Sequence, residues 1–92
     1  MSDLAHVDII VHGQVQGVFF RSFTSRIAKS LGLKGHVHNS LRGTVEVQAE
    51  GNRDKLEEFV NQLHSGPPEA LVEKVDTKWS EYTGQFINFD VR

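Results

Sequence analysis

The run Gly13-Gln14-Val15-Gln16-Gly17-Val18-Phe19-Phe20-Arg21 sets two glycines four residues apart and an arginine four residues beyond the second. Residues of these types at this spacing suit an anion cradle. Glycine lets the backbone approach a ligand closely or take positive φ. Arginine presents a planar fork of donors that matches phosphate geometry. If a helix opens at the end of the run, its first N–H groups have no intrahelical partner, and the helix dipole adds partial positive charge at that end. Taken alone, the same residues also read as a tight connection with Arg21 solvated.

The flanking patterns supply the strand and the helix that such a cradle needs. Before the run, Val7, Ile9 and Val11 alternate with His6, Asp8 and His12, the pattern of a strand with one buried face. After it, Phe20, Phe23, Thr24, Ile27, Ala28 and Leu31 recur at the spacing of an amphipathic helix. Phe19 and Phe20 read as core rather than as a platform for substrate. Val15 and Val18 are expected to pack beneath the loop, Gln16 to bond within it, and Gly13 and Val15 to shape it.

Other polar residues are weighed against ordinary roles. Asn39, close to a turn, reads by itself as satisfying a local backbone group. His36 and His38 lie two apart on a strand and so share a face. Two imidazoles without a thiolate are too few for a closed zinc site, and no metal is expected. His12 would tune the loop's field if protonated, although a strand-end histidine is the simpler reading. Asp54, Glu57 and Glu58 form a solvated helix face. Trp79 and Tyr82 read as packing.

Composition narrows the function classes. Ninety-two residues make one small domain, 1–92, with a single core. Ten basic and twelve acidic side chains give a net charge of −2, which argues against a nucleic-acid binder that works by neutralising many phosphates. There is no cysteine, so neither a disulfide framework nor a thiolate metal site is available. Met1 to Ala5 show no basic segment leading into an apolar run, and no stretch reaches membrane-spanning length. A cytoplasmic monomer that contacts no membrane is the expectation.

Along the chain, Gly32 or Gly35 stops the first helix. A second strand is expected at 36–41, and Leu41-Arg42-Gly43 turns into the alternating run Thr44–Glu50. Gly51-Asn52 caps a second helix carrying Leu56, Phe59, Val60 and Leu63, which ends at His64-Ser65-Gly66-Pro67-Pro68. Leu71, Val75 and Trp79 share parity in a weakly patterned strand expected at a sheet edge. A polar turn, Ser80–Gln85, precedes a short last strand with Ile87, Phe89 and Val91 alternating. The fold class expected is α+β: a ferredoxin-like βαββαβ sandwich, an antiparallel sheet with two helices on one face and a short extra C-terminal strand.

Gly13 to Arg21 matches Gly-x-Val-Gln-Gly-Val-x-Phe-Arg, and it resembles the first signature of the acylphosphatase family at every fixed position. Gly35-His36-Val37-His38-Asn39-Ser40-Leu41-Arg42-Gly43-Thr44-Val45, closed by Gly51, resembles the second signature at its glycine, valine and asparagine positions. The resemblance implies the same fold and a hydrolase that cleaves the carboxyl–phosphate bond of small acyl phosphates. It further implies that Arg21 grips the phosphate, that the backbone amides of Gln16, Gly17, Val18, Phe19 and Phe20 complete the cradle, and that Asn39 orients the attacking water. Neither a metal, another cofactor nor a covalent phosphoenzyme is implied. His36 and His38 depart from the family pattern, which bears on the pocket wall and on pH dependence.

Such a reaction suits a site lacking a general base, because its leaving group is a carboxylate that departs without a strong acid. Inorganic phosphate, the product, is expected to inhibit competitively, and acyl-group specificity to be broad. The alternative within enzymology is a stand-alone protein that prefers carbamoyl phosphate, similar to the acylphosphatase-like module of larger maturation proteins. A non-catalytic anion sensor is the alternative of a different class. RNA binding lacks paired exposed aromatics, and Walker-type nucleotide binding lacks Gly-Lys-Ser/Thr.

Overall fold

The computed structural model describes residues 3–92. Strand β1 (Leu4–Gln14) leads into helix α1 (Phe20–Ser30), followed by β2 (Lys34–Asn39), β3 (Val45–Asn52), helix α2 (Arg53–Ser65), β4 (Leu71–Glu81) and β5 (Phe89–Val91). The five strands form one sheet in the order β4-β1-β3-β2-β5. Every pairing is antiparallel except β2 with β5, so the sheet is mixed rather than wholly antiparallel. This is the ferredoxin-like α+β arrangement that the alternating patterns imply.

Alternation decides which face of the sheet is covered. Ala5, Val7, Ile9 and Val11 of β1, Val37 of β2, and Val45, Val47 and Ala49 of β3 are buried together with Phe20 and Ala28 of α1 and Leu56, Phe59 and Leu63 of α2. Burying a side chain of Leu or Phe size stabilises the fold by about 1.5–3 kcal/mol, so the α2 stripe alone anchors that helix. Phe59 meets Phe89 edge to face at 6.1 Å, which ties α2 to the last strand. Asn52 caps α2 through its side chain, accepting from Asp54 N–H at 3.0 Å.

Several boundaries differ from the sequence expectation. Strand β2 ends at Asn39, two residues early, and Leu41 is fully exposed in the turn. Gly32 (φ 72°), not Gly35, makes the left-handed exit from α1. At the edge, the β1–β4 register shifts between His12 and Gly13, leaving Glu73 without an opposite partner. That bulge flips the parity of the strand, so Val72 packs inward while Leu71 is exposed. Gly13 sits at this bulge, and a Cβ there would clash with the Leu71 carbonyl oxygen. Only Phe89 of the last alternating triplet is buried, and Ile87 stands in solvent before β5 begins.

The other face of the sheet is partly covered by residues 82–88, the connection between the two edge strands. Glu50, 2% exposed, accepts from Thr83 N–H at 2.9 Å, Thr83 Oγ1 at 2.6 Å and Gly84 N–H at 2.9 Å. Phe86 stacks on His6 and meets His36 edge-on. The polar stretch expected to be a simple turn is therefore a strap held down by a buried carboxylate.

Candidate active site

The cradle lies between the end of β1 and the start of α1. Phe19 occupies the N-cap position in the left-handed region (φ 61°, ψ 24°) with no side-chain cap, and no acidic residue stands in the first turn. Among the described residues, none accepts a hydrogen bond from the backbone N–H of Gln16, Gly17, Val18, Phe19 or Phe20. The uncapped helix end and these unpaired donors belong to one loop, the kind of backbone that suits an anion. Gly17 adopts φ 73°, and a Cβ there would meet nothing within 4 Å, so the need for glycine is conformational rather than steric.

Two contacts hold the cradle in shape. The Gln16 amide donates to the Ser40 carbonyl at 2.8 Å and the Thr44 carbonyl at 3.0 Å. It thus ties the loop to the β2–β3 turn instead of bonding within the loop as expected. Ser40 and Thr44 hydroxyls bond each other at 2.6 Å and stiffen that turn. Val15 is buried under the loop and Val18 packs partly against the core, as the pattern suggests. Phe19 corrects the sequence reading: it is 78% exposed, because the N-cap lies before the helical stripe and points its ring away from the core.

Arg21 and Asn39 line one cleft of about 670 Å³ together with Gly17 and Phe19. Arg21 Nη1 donates to the main-chain oxygen of Arg92 at 2.8 Å, which fixes one side of the guanidinium and leaves the rest of the fork for a ligand. Asn39 shares the helix-covered face of β2 with Val37. Its Oδ1 is buried and has no hydrogen-bond partner among the described residues. His36 Nδ1, on the opposite face of the sheet, is the other buried side-chain atom without a partner among the described residues.

Motif reasoning missed Ser22, Ser25, Arg26 and Lys29, which also line the cleft. Their signal was present on the helical wheel, since these residues and Arg21 fall on one flank of α1 beside the buried stripe.

His36 and His38 lie on the opposite, strap-covered face, with ring centroids 5.8 Å apart, and so do not form the cleft wall. Burial, with Arg92 and His38 nearby, lowers the pKa of His36. His12 donates to Asp76 at 2.9 Å across to β4 rather than facing the loop, and that bond helps hold Asp76 below its usual range. Trp79 is packing, with the Arg53 guanidinium 4.1 Å above its ring, while Tyr82 is 44% exposed at the start of the strap. Asp54, Glu57 and Glu58 are exposed on α2.

The chain is a small ferredoxin-like α+β domain with an uncapped helix end, a glycine loop and one anchored arginine at one cleft. The acylphosphatase family profile matches residues 7–91. An acylphosphatase of Dehalococcoides mccartyi is 49% identical over 84 residues, covering 90% of this chain and 92% of that protein. The crystal structure of acylphosphatase from Bacillus subtilis superposes with a TM-score of 0.93 at 34% identity, covering 96% of this chain and 98% of that one. Full-length HypF, in its phosphate- and nucleotide-bound form, matches with a TM-score of 0.89 at 27% identity, over all of this chain but only 12% of that one. The chain belongs to the acylphosphatase family and is an enzyme of that class. Among the described residues, no helix is long and apolar enough to cross a membrane.

Proposed function

We propose that the protein hydrolyses the carboxyl–phosphate bond of small acyl phosphates to carboxylate and inorganic phosphate without a metal ion. Arg21 and the amides of Gln16–Phe20 hold the phosphoryl oxygens, while Asn39 Oδ1 accepts from a water and sets it in line with the bond that breaks. The observation that carries this reading is the buried, unpartnered Asn39 oxygen in the same cleft as an anchored arginine and an uncapped helix end. Binding an anion needs only the last two features; turnover needs the first as well.

The water oxygen bonds to phosphorus as the P–O bond to the acyl group breaks, and the carboxylate departs with the electron pair. Neither carboxylate nor imidazole lines the cleft, so the water's proton passes to a phosphoryl oxygen of the substrate itself. A carboxylate is stable enough as a leaving group that no general acid is required. Electrostatic stabilisation and alignment are the protein's contribution.

The test is hydrolysis of benzoyl phosphate in the presence of chelator by the intact protein, Arg21→Ala and Asn39→Ala, with each fold verified by circular dichroism. Loss of one well-placed donor or acceptor at a developing charge typically costs about 10²–10³-fold in kcat. Both variants are expected to fall at least that far. An intact protein that binds phosphate yet turns over no acyl phosphate would reduce the site to an anion sensor.

A further inference from the structure

On a chain whose net charge is −2, the cleft that holds Arg21 also contains Arg26 and Lys29 and no carboxylate. Arg21 is held by the Arg92 main-chain oxygen, and among the described residues neither Arg26 nor Lys29 has an Asp or Glu partner within 4 Å, whereas Arg53 and Lys74 do. The three cations of the cleft lie on one helix, with Ser25 between the first two. At a rise of about 1.5 Å per residue, Arg26 and Lys29 stand about 7.5 and 12 Å along the axis from Arg21. A cleft of one sign focuses its field on what enters it.

We propose that this flank of α1 seats an acyl group that carries a second negative charge, with Arg26 and Lys29 as specificity-determining residues. The inference rests on the acyl-phosphate reading above and narrows the broad acyl-group specificity expected from the sequence. With the phosphoryl group in the cradle, the acyl chain extends along α1 past Ser25. A carboxylate roughly 8–9 Å from phosphorus, the reach of a para-substituted benzoyl group, then falls beside Arg26 and short of Lys29 on the helix scale. Exposed Phe19 at the mouth offers an apolar face to the body of such a group. The cations act on binding of the acyl end and leave the in-line displacement at phosphorus as described.

The test compares 4-carboxybenzoyl phosphate with 4-carbamoylbenzoyl phosphate, which matches it in shape and lacks the charge. The ratio of their kcat/KM values is expected to exceed ten in low salt and to shrink as ionic strength rises. In Arg26→Gln/Lys29→Gln it is expected to fall to near one, with most of the change in KM. A ratio near one in the intact protein, or a high ratio that survives the double substitution, overturns the proposal and leaves the hydrolase reading standing. Turnover of benzoyl phosphate but of neither compound overturns this proposal alone, and turnover of none of the three sinks the hydrolase reading with it.

Discussion

Among the described residues none donates a hydrogen bond to Asn39 Oδ1, so no bond within the protein depends on it. Removing it should therefore not weaken the fold. Asn39→Ala is expected to keep or raise the melting temperature while kcat falls by at least about 10²-fold. A melting temperature several degrees lower would instead assign the amide to structure. Arg21 makes a complementary case, because its guanidinium already gives one donor to Arg92. Lysine cannot hold that oxygen and a phosphate at once in the same fork, so Arg21→Lys should lose most of the activity although the charge is kept. At this scale the sequence was informative where a residue's type states its conformation, as with Gly17 at φ 73°. It was silent where the partner is remote: the Gln16 bonds reach residues 24 and 28 positions away. Phe19 was misread because the helical period says nothing about the residue just before the first turn.

Elements are positioned here as much by the strap as by the core. The strap joins β4 to β5 across the sheet, and β5 leads directly to the Arg92 oxygen that anchors Arg21. Its fastening is Glu50, whose carboxylate also accepts from His6 Nδ1 at 2.7 Å, while His6 Nε2 donates to Asp8 at 3.1 Å. Burial alone would lower the His6 pKa, but the bonds to Glu50 and Asp8 prevail and raise it above its ordinary 6.5. For Glu50, burial pushes upward, and the bonds from Thr83, His6 and Gly84 prevail and lower it below 4.5. A raised imidazole contributes stability fully below 6.5 and loses it as pH rises through the folded value; a lowered carboxylate contributes fully above 4.5 and loses it as pH falls through the folded value. The fastening is therefore strongest between pH 4.5 and 6.5. His36, with its pKa lowered, opposes this on the acid side, since its own contribution fades below 6.5. The gap in melting temperature between the intact protein and Glu50→Gln should peak in that window and narrow on both sides; a gap flat over about two units beyond each limit would refute the fastening. None of this was legible in an alternating strand, where Glu50 takes the parity of an outward, solvated residue. By contrast, both helices and the first three strands were legible, because Val7, Ile9, Val11 and Leu56, Phe59, Leu63 repeat at the periods of the structures they form.

For the molecule as a whole, the free donors of the cradle are brought together only by folding, so an anion bound there must stabilise the native state by mass action. The unfolded chain keeps Arg21 but loses the ordered amides of Gln16–Phe20 and the aligned dipole of α1, so on the proposed reading its affinity for phosphate collapses. At ten times the dissociation constant, inorganic phosphate should add about 1.4 kcal/mol. A domain of this size responds with roughly 4–8 °C per kcal/mol, which gives a rise of roughly 6–11 °C. Chloride at matched ionic strength controls for screening, and Arg21→Ala controls for the general strengthening of burial that phosphate exerts as a solute. The shift should be present in the intact protein, largely absent in Arg21→Ala and retained in Asn39→Ala, whose proposed role begins only once water must be placed. The same concentrations should raise KM for an acyl phosphate and leave kcat unchanged, since product and substrate share one cradle. Equal shifts in the intact protein and Arg21→Ala would mean that phosphate acts on the solvent rather than on the loop, and the cradle would have to be abandoned as the binding site.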